Sequence, residues 1–145
     1  MYILDTLPLI YWTLDPIKLP EPVKEVLLRA KDLYISSISL WEMGMMKKKG
    51  YLELPLGMRE FQIRLEKTSR VTVLDVDESL CVKALDLDFR GDDICDRLII
   101  TTAMLNNLTL ITQDQQIQNY YPDHLWKNIV KPGVWKHFTP ELTLV

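Results

Sequence analysis

Histidine and cysteine, the residues that most often bind zinc or take part in nucleophilic catalysis, are scarce in this sequence. The two histidines, His124 and His137, lie close together near the C-terminus, and the two cysteines, Cys81 and Cys95, have no partner at metal-ligand spacing. This scarcity argues against a histidine-based zinc site and against a Ser-His-Asp triad. Unpaired cysteines are typical of reduced thiols, so a cytoplasmic localisation is predicted.

The sequence also lacks a long hydrophobic run. No stretch of about 18 consecutive apolar residues occurs, so neither a transmembrane helix nor a membrane partner is predicted. The first residues are apolar, but they carry no basic leader and are interrupted by Asp5. They are therefore interpreted as a buried strand and helix, and not as a signal peptide.

Basic charge is not in excess either. The sequence has 17 Lys and Arg against 20 Asp and Glu, which gives a net charge of −3. This balance excludes a protein that simply coats nucleic acid with a basic surface. Because two bound divalent cations would change the net charge from −3 to +1 at the site itself, a nucleic-acid partner remains open.

Short apolar segments alternate with longer amphipathic ones along the 145 residues, a length typical of one domain. Strands are predicted at residues 1–4, 33–35, 71–76 and 108–111, with helices between and after them. This alternation predicts an α/β fold with a mainly parallel sheet covered on both faces. Ligands in such sheets bind beyond the carboxyl ends of the strands.

Four acidic residues lie where a predicted strand ends or a predicted helix presents a face: Asp5, Glu42, Asp96 and Asp114. Four carboxylates in one cleft repel each other unless a divalent cation neutralises them. If the fold gathers these residues, the hypothesis is a metal site with oxygen ligands that supports phosphodiester chemistry.

Each acidic residue also has a structural alternative. Asp5 could cap the helix that follows it, Asp114 could be a turn residue or a cap, and Asp93 has the spacing of a capping residue for Asp96. Glu42 could face solvent, although its neighbours at residues 38–46 are mostly apolar. Convergence of all four at one edge of the sheet would favour the metal site.

Five segments of the chain occur in an order that resembles the PIN-domain proteins, and most closely the VapC-type toxins of bacterial and archaeal toxin–antitoxin operons. The segments are YILDT (2–6), YISSISLWE (34–42), GYLELP (50–55), DICDRLII (93–100) and LTLITQD (108–114). Each segment alone is weakly specific, but five in sequence at suitable intervals make a specific signal.

The resemblance implies a three-layer α/β/α fold and a Mg²⁺- or Mn²⁺-dependent endoribonuclease that hydrolyses RNA phosphodiester bonds. It assigns the catalytic and metal-binding roles to Asp5, Glu42, Asp96 and Asp114. It also implies neighbouring polar side chains that could orient a bound water or the carboxylates: Asp93, Thr6, Ser39 and Thr112.

The same resemblance implies a PIN-like nuclease domain at residues 1–125, an RNA substrate, a cognate antitoxin and a homodimer. Residues 126–145, which include Trp126 and Trp135, match no family motif and form a C-terminal extension of unknown role. Leu7 and Gln113 depart from the family pattern, in which histidine and a basic residue are common, and Asp-Ile-Cys-Asp replaces the usual Asp-Pro-Phe-Asp. None of these departures removes a presumed metal ligand.

Three basic residues are candidates for contacting RNA. Lys47 and Lys49 end the helix that carries Glu42, and Lys49 shares a helix face with Glu42 at a distance of about 10 Å. Alternatively, these lysines offset the helix dipole. Arg97 could contact phosphate, although neutralisation of a neighbouring carboxylate is the favoured interpretation. Cys95 is interpreted as a small packing residue.

Two other functional classes compete with the ribonuclease hypothesis. One is a non-catalytic PIN-like module that binds RNA or protein, and the intact acidic set argues against it. The other is a receiver-type phosphoacceptor, which would require paired acidic residues after its first strand and a lysine after its last. Neither is present around Asp5 or Asp114.

Overall fold

The structure, a computed structural model, describes residues 1–127. Within these residues the strands are β1 (Tyr2–Leu4), β2 (Leu33–Ser36), β3 (Val71–Leu74), β4 (Thr109–Ile111) and β5 (His124–Leu125). The helices are α1 (Thr6–Leu14), α2 (Glu21–Arg29), α3 (Ser37–Lys48), α4 (Met58–Lys67), α5 (Glu78–Leu85), α6 (Ile94–Leu105) and α7 (Gln115–Tyr120), and a 3₁₀ helix spans Pro16–Lys18.

The five strands form one parallel sheet in the order β3-β2-β1-β4-β5. The chain runs outward from β1 through β2 to β3, and then returns to place β4 on the other side of β1. The strand order therefore reverses between β1 and β4, which is where open α/β sheets form ligand-binding crevices.

Alternate residues of the central strands point to opposite faces of the sheet, as the two-residue period of a strand requires. In β1, Leu4 packs with apolar side chains of α1, α2 and α4, whereas Ile3 packs with those of α6 and α7. The same alternation places Ile111 on the first face and Leu110 on the second. The predicted three-layer α/β/α fold is confirmed.

Local sequence features fix both ends of α3, the helix that carries Glu42. The hydroxyl of Ser36 accepts a hydrogen bond from the backbone N–H of Ile38 at 3.2 Å, which satisfies a free donor at the helix start. Gly50 follows the helix with a φ of +79°, a conformation that side chains with a Cβ rarely adopt. Glu42 is therefore held on a helix with defined termini.

The sequence predicted four of the five strands but missed β5. This two-residue strand pairs in parallel with β4, and Trp126 immediately after it is buried against the ring of Tyr11. The residue predicted to begin the C-terminal extension therefore packs on the core. The rest of that extension, including Trp135, lies outside the described residues, and the domain division stays a prediction.

Within the described part of the chain, we find no helix with the length and apolar character needed to cross a membrane.

Candidate metal centre

A cleft of about 510 Å³ opens beyond the ends of β1 and β4, beside α3 and the start of α6. All four acidic residues singled out from the sequence line it, together with a fifth. These residues are Asp5, Glu42, Asp93, Asp96 and Asp114. The fold thus gathers carboxylates that are separated by up to 109 positions in the sequence, and their role as metal ligands stays a prediction.

Asp5 is the most deeply buried of these carboxylates, with 7% of its surface exposed. Its Oδ1 accepts a hydrogen bond from the backbone N–H of Thr6, and its Oδ2 accepts one from the Thr112 hydroxyl, both at 2.8 Å. Burial, with a smaller contribution from the charges of Glu42 and Asp114, outweighs the two hydrogen bonds and raises the pKa of Asp5 to about 6. Asp5 is thus rigidly oriented and electrostatically crowded.

Glu42 reaches the cleft from α3 and is supported by hydroxyl groups. The pKa of Glu42 is raised, chiefly by burial and then by the charge of Asp93. Hydrogen bonds with Thr6 and Cys95 oppose this rise. The Thr6 hydroxyl also lies 2.9 Å from that of the fully buried Ser39. Thr6 therefore contacts the Glu42 carboxylate and Ser39 contacts Thr6, and their role in orienting a carboxylate or a bound water stays a prediction.

Asp93 and Asp114 both cap helices, so the structural alternative applies to them as well. Oδ1 of Asp93 accepts a hydrogen bond from the backbone N–H of Asp96 at 3.1 Å. Oδ1 of Asp114 accepts two, from Gln116 at 2.8 Å and Ile117 at 3.1 Å. In each residue the capping hydrogen bonds involve Oδ1 alone, so Oδ2 takes no part in capping. Capping and metal binding are therefore compatible in both residues.

Asp96 has no such structural role, because no donor to its side chain is described within residues 1–127. Burial, followed by the charges of Asp5, Asp93, Asp114 and Glu42 in that order, raises the pKa of Asp96 to about 8. A carboxyl group with this pKa is only partly ionised at neutral pH unless a cation binds to it. Of the five carboxylates of the cleft, Asp96 is therefore the one whose position is least explained by a structural role.

The donor set fits a divalent cation. The ion pairs described within residues 1–127 join partners one helical turn apart, and none of them involves a carboxylate of the cleft. Carboxylate oxygens are the ligands that Mg²⁺ and Mn²⁺ favour, and a cation between them would relieve the repulsion that raises the pKa values of Asp5 and Asp96.

Comparison with known proteins decides the family. A family model described as the PIN domain matches residues 2–121, which include every carboxylate of the cleft. The chain belongs to the PIN-domain family. This PIN domain is also similar to Ribonuclease VapC22 of Mycobacterium tuberculosis, with 23% identity over 118 residues, which is 81% of this chain and 90% of the relative.

Two solved structures resemble this PIN domain in fold. A chain of a toxin–antitoxin complex from Klebsiella pneumoniae has a TM-score of 0.60 at 20% identity, covering 86% of this chain and 96% of its own. A chain of a structure of FitAB bound to the IR36 DNA fragment has a TM-score of 0.51 at 24% identity, covering 79% of this chain and 85% of its own. At these identities the likeness concerns the fold.

The basic residues considered as RNA contacts have different surroundings in the PIN domain. The ammonium of Lys47 donates a hydrogen bond to the carbonyl of Leu56 at 2.9 Å, so it ties α3 to the segment before α4. Lys49 is exposed at the C-terminal end of α3, and no side-chain hydrogen bond or ion pair is described for it. Of the two lysines, Lys49 is the better placed to receive a ligand.

Among residues 1–127 Arg97 forms no ion pair with a carboxylate, so the favoured interpretation, neutralisation of a neighbouring carboxylate, is wrong. Its guanidinium donates hydrogen bonds to the carbonyls of Ala84 at 3.0 Å, Leu87 at 2.8 Å, and Phe89. These donors face the last turn of α5 and the chain that follows it, and secure both against α6. These bonds involve both Nη atoms of the guanidinium, and the contact of Arg97 with RNA phosphate stays a prediction.

Cys95 is the residue of the site that sequence reasoning missed. Its sulfur and one oxygen each of Glu42 and Asp93 all lie within 4.8 Å of one another. Burial and the charges of Glu42 and Asp93 raise the pKa of the Cys95 thiol to about 12. The available signal was its position directly before Asp96, in a segment where the family usually has Asp-Pro-Phe-Asp.

Proposed function

We propose that this PIN domain is a divalent-metal-dependent endoribonuclease and the toxin of a toxin–antitoxin pair. The observation that carries the proposal is the convergence of five carboxylates in one cleft, without a basic partner among the described ion pairs. The name of the relative, a ribonuclease, and the toxin–antitoxin complex with the same fold support the choice of reaction and context.

In this proposal Asp5, Glu42 and Asp96 hold Mg²⁺ or Mn²⁺, and Asp114 binds either directly or through water. The cation would act as a Lewis acid on the scissile phosphate and would lower the pKa of an attacking water. Thr112 keeps Asp5 in a fixed orientation through its 2.8 Å hydrogen bond, and Thr6 does the same for Glu42. The protein thus supplies geometry and charge for phosphodiester hydrolysis.

The proposed RNA path follows the remaining lining of the cleft. Uncharged side chains line it beside the carboxylates, among them Leu7, Met46, Gln113 and Gln116. Lys49 lies three residues after Met46, directly beyond the last residue of α3, and is proposed to contact a phosphate of the substrate. Amide side chains can hydrogen-bond RNA without adding charge, which agrees with the low basic content of the chain.

Removal of the metal is the direct test of the reaction. Purified protein with Mg²⁺ or Mn²⁺ should cleave RNA, and an excess of EDTA should abolish cleavage until the metal is restored. Gel analysis of a structured and an unstructured RNA gives the measurement. Cleavage that persists in EDTA would contradict the metal mechanism, and absence of cleavage with either metal and both RNAs would favour a non-catalytic binding module.

The biological part of the proposal predicts a protein partner. A small antitoxin should bind this PIN domain and suppress cleavage, so expression of the chain alone should arrest growth and co-expression with the neighbouring small reading frame should restore it. Asp5→Asn, expressed to the same level, is the matched non-toxic control. Growth arrest by Asp5→Asn as severe as that of the wild type would show that toxicity is independent of the cleft.

A homodimer is part of the same proposal. Helix α6 contacts both α3 and α5, and each of the three carries large apolar side chains that are exposed in the single chain. They include Trp41 at 59%, Leu85 at 77% and Ile94 at 68%. Exposed apolar residues on adjacent helices are a feature of protein interfaces, and a second copy of the chain is the proposed partner for them.

A further inference from the structure

Cys95 places a sulfur atom in a site whose other donors are carboxylate oxygens. The cysteine is 5% exposed and precedes Asp96 directly on the first turn of α6. Its sulfur forms a hydrogen bond with Glu42 and lies within 4.8 Å of a ligand oxygen of Asp93. Glu42 therefore belongs to two groups: the carboxylates that line the cleft, and a cluster of one sulfur and two oxygens.

Sulfur and oxygen donors favour different cations. Thiolate binds Zn²⁺ and Cd²⁺ strongly, whereas Mg²⁺ prefers oxygen ligands and retains several waters. One cysteine and two carboxylates are ligand types that Zn²⁺ accepts, and a water would complete four-coordination. The fold already gathers the three ligand atoms within 4.8 Å of one another.

We propose that Cys95, with Glu42 and Asp93, lets this metal centre bind Zn²⁺ in a mode that excludes Mg²⁺ and inhibits the nuclease. The inference rests on the proposed metal-dependent function, because Glu42 is shared by the two modes. Binding replaces the S–H bond of Cys95 with an S–Zn bond and releases one proton to solvent, without electron transfer. The cleft thereby distinguishes an activating cation from an inhibitory one.

The second cysteine of the sequence provides a matched control. Cys81 lies on α5, is exposed, and does not line the cleft. Cys81→Ser and Cys95→Ser therefore make the same chemical change, and each leaves one thiol in the protein. Asp93→Asn is a third variant that removes a proposed ligand at an exposed position, without altering the buried packing around Cys95.

The experiment uses Cd²⁺ as the probe, added to the metal-free full chain. Thiolate coordination should produce an ultraviolet charge-transfer band in the wild type and in Cys81→Ser, but not in Cys95→Ser. The ratio of Zn²⁺ to Mg²⁺ affinity, measured by competition and calorimetry, should fall about tenfold or more in Cys95→Ser. It should also fall in Asp93→Asn, which tests the cluster if the serine variant folds poorly.

The outcomes separate this inference from the proposed function. A band in wild type without RNA cleavage would support the thiol site and contradict the nuclease. Metal-dependent cleavage without a band, or a band that survives in Cys95→Ser, would overturn the thiol site and leave the nuclease standing. Zn²⁺ binding that leaves Mg²⁺-dependent cleavage unaffected would contradict mutual exclusion.

Discussion

Replacement of Asp96 by Asn should have opposite effects on activity and on the stability of the metal-free protein. With Asp96 in its proposed role as a metal ligand, we expect RNA cleavage to fall about 100-fold or more, because that carboxylate would support several kcal/mol of charge stabilisation. The same change should stabilise the metal-free fold by about 1–2 kcal/mol at pH 8, a figure reduced for the partial solvent exposure of Asp96. The asparagine removes a negative charge from a crowded cleft while keeping the shape of the side chain.

The pH dependence follows from the direction of the pKa shift. The pKa of Asp96 is raised from 3.8 to about 8, so between these values the folded protein binds more protons than the unfolded chain. The free energy of unfolding of the metal-free protein should therefore fall as the pH rises from about 4 to about 8. Asp5, whose pKa is raised to about 6, contributes in the same direction over the lower part of that range.

Urea unfolding in EDTA at pH 5 and pH 8 measures this effect, and Asp88→Asn is the matched control at an exposed position away from the cleft. Wild type should lose stability between the two pH values, and Asp96→Asn should lose less. Saturating Mg²⁺ should stabilise the wild type more than the variant. An Asp96→Asn protein that is less stable than wild type at pH 8 in EDTA would show that Asp96 supports the fold.

The α/β architecture could be predicted because its strands are apolar runs with clear boundaries. β1, β2 and β4 are buried in the middle of the sheet, so their sequences carry the signal of parallel strands. β5 has no such signal, since it consists of His124 and Leu125 only and both are half-buried at the sheet edge. Its formation depends on pairing with β4 and on the burial of Trp126.

The acidic set could also be predicted, because the carboxyl ends of neighbouring parallel strands meet at one edge. Asp5 and Asp114 follow strands that pair directly, and Glu42 lies on the helix after a third strand. Cys95 could not be placed in the same way. Its closeness to Glu42 results from the packing of α6 against α3, between residues 53 positions apart, and no local pattern encodes it.

The acidic residues close to Arg97 in the sequence led to a wrong prediction of its partner. Asp93 precedes it by one helical turn and Asp96 is adjacent, so an ion pair was the natural expectation. The structure instead directs three carbonyl groups at the guanidinium, one from the last turn of α5 and two from the chain that follows it. Carbonyls in the last turn of a helix and in the chain after it need donors, and one planar side chain with five N–H groups can satisfy several at once.

Replacement of Arg97 by Ala should therefore destabilise the protein strongly. We expect a loss of about 2–3 kcal/mol in the free energy of unfolding, because three hydrogen bonds from a charged donor disappear and water replaces them incompletely. Arg97→Lys should recover only part of this loss, since a single ammonium cannot reach three carbonyls in the geometry of a planar guanidinium. Urea unfolding with and without Mg²⁺ gives both values.

Arg90→Ala, at an exposed arginine near the same connection, is the control and should change stability by no more than about 0.5 kcal/mol. The anchored connection leads into the start of α6, where Asp93 and Asp96 line the cleft, so loosening it should also weaken metal binding. The two roles of Arg97 have different signatures. If Arg97→Ala keeps wild-type stability and metal affinity but binds RNA more weakly, its guanidinium contacts phosphate, and the anchoring role is wrong.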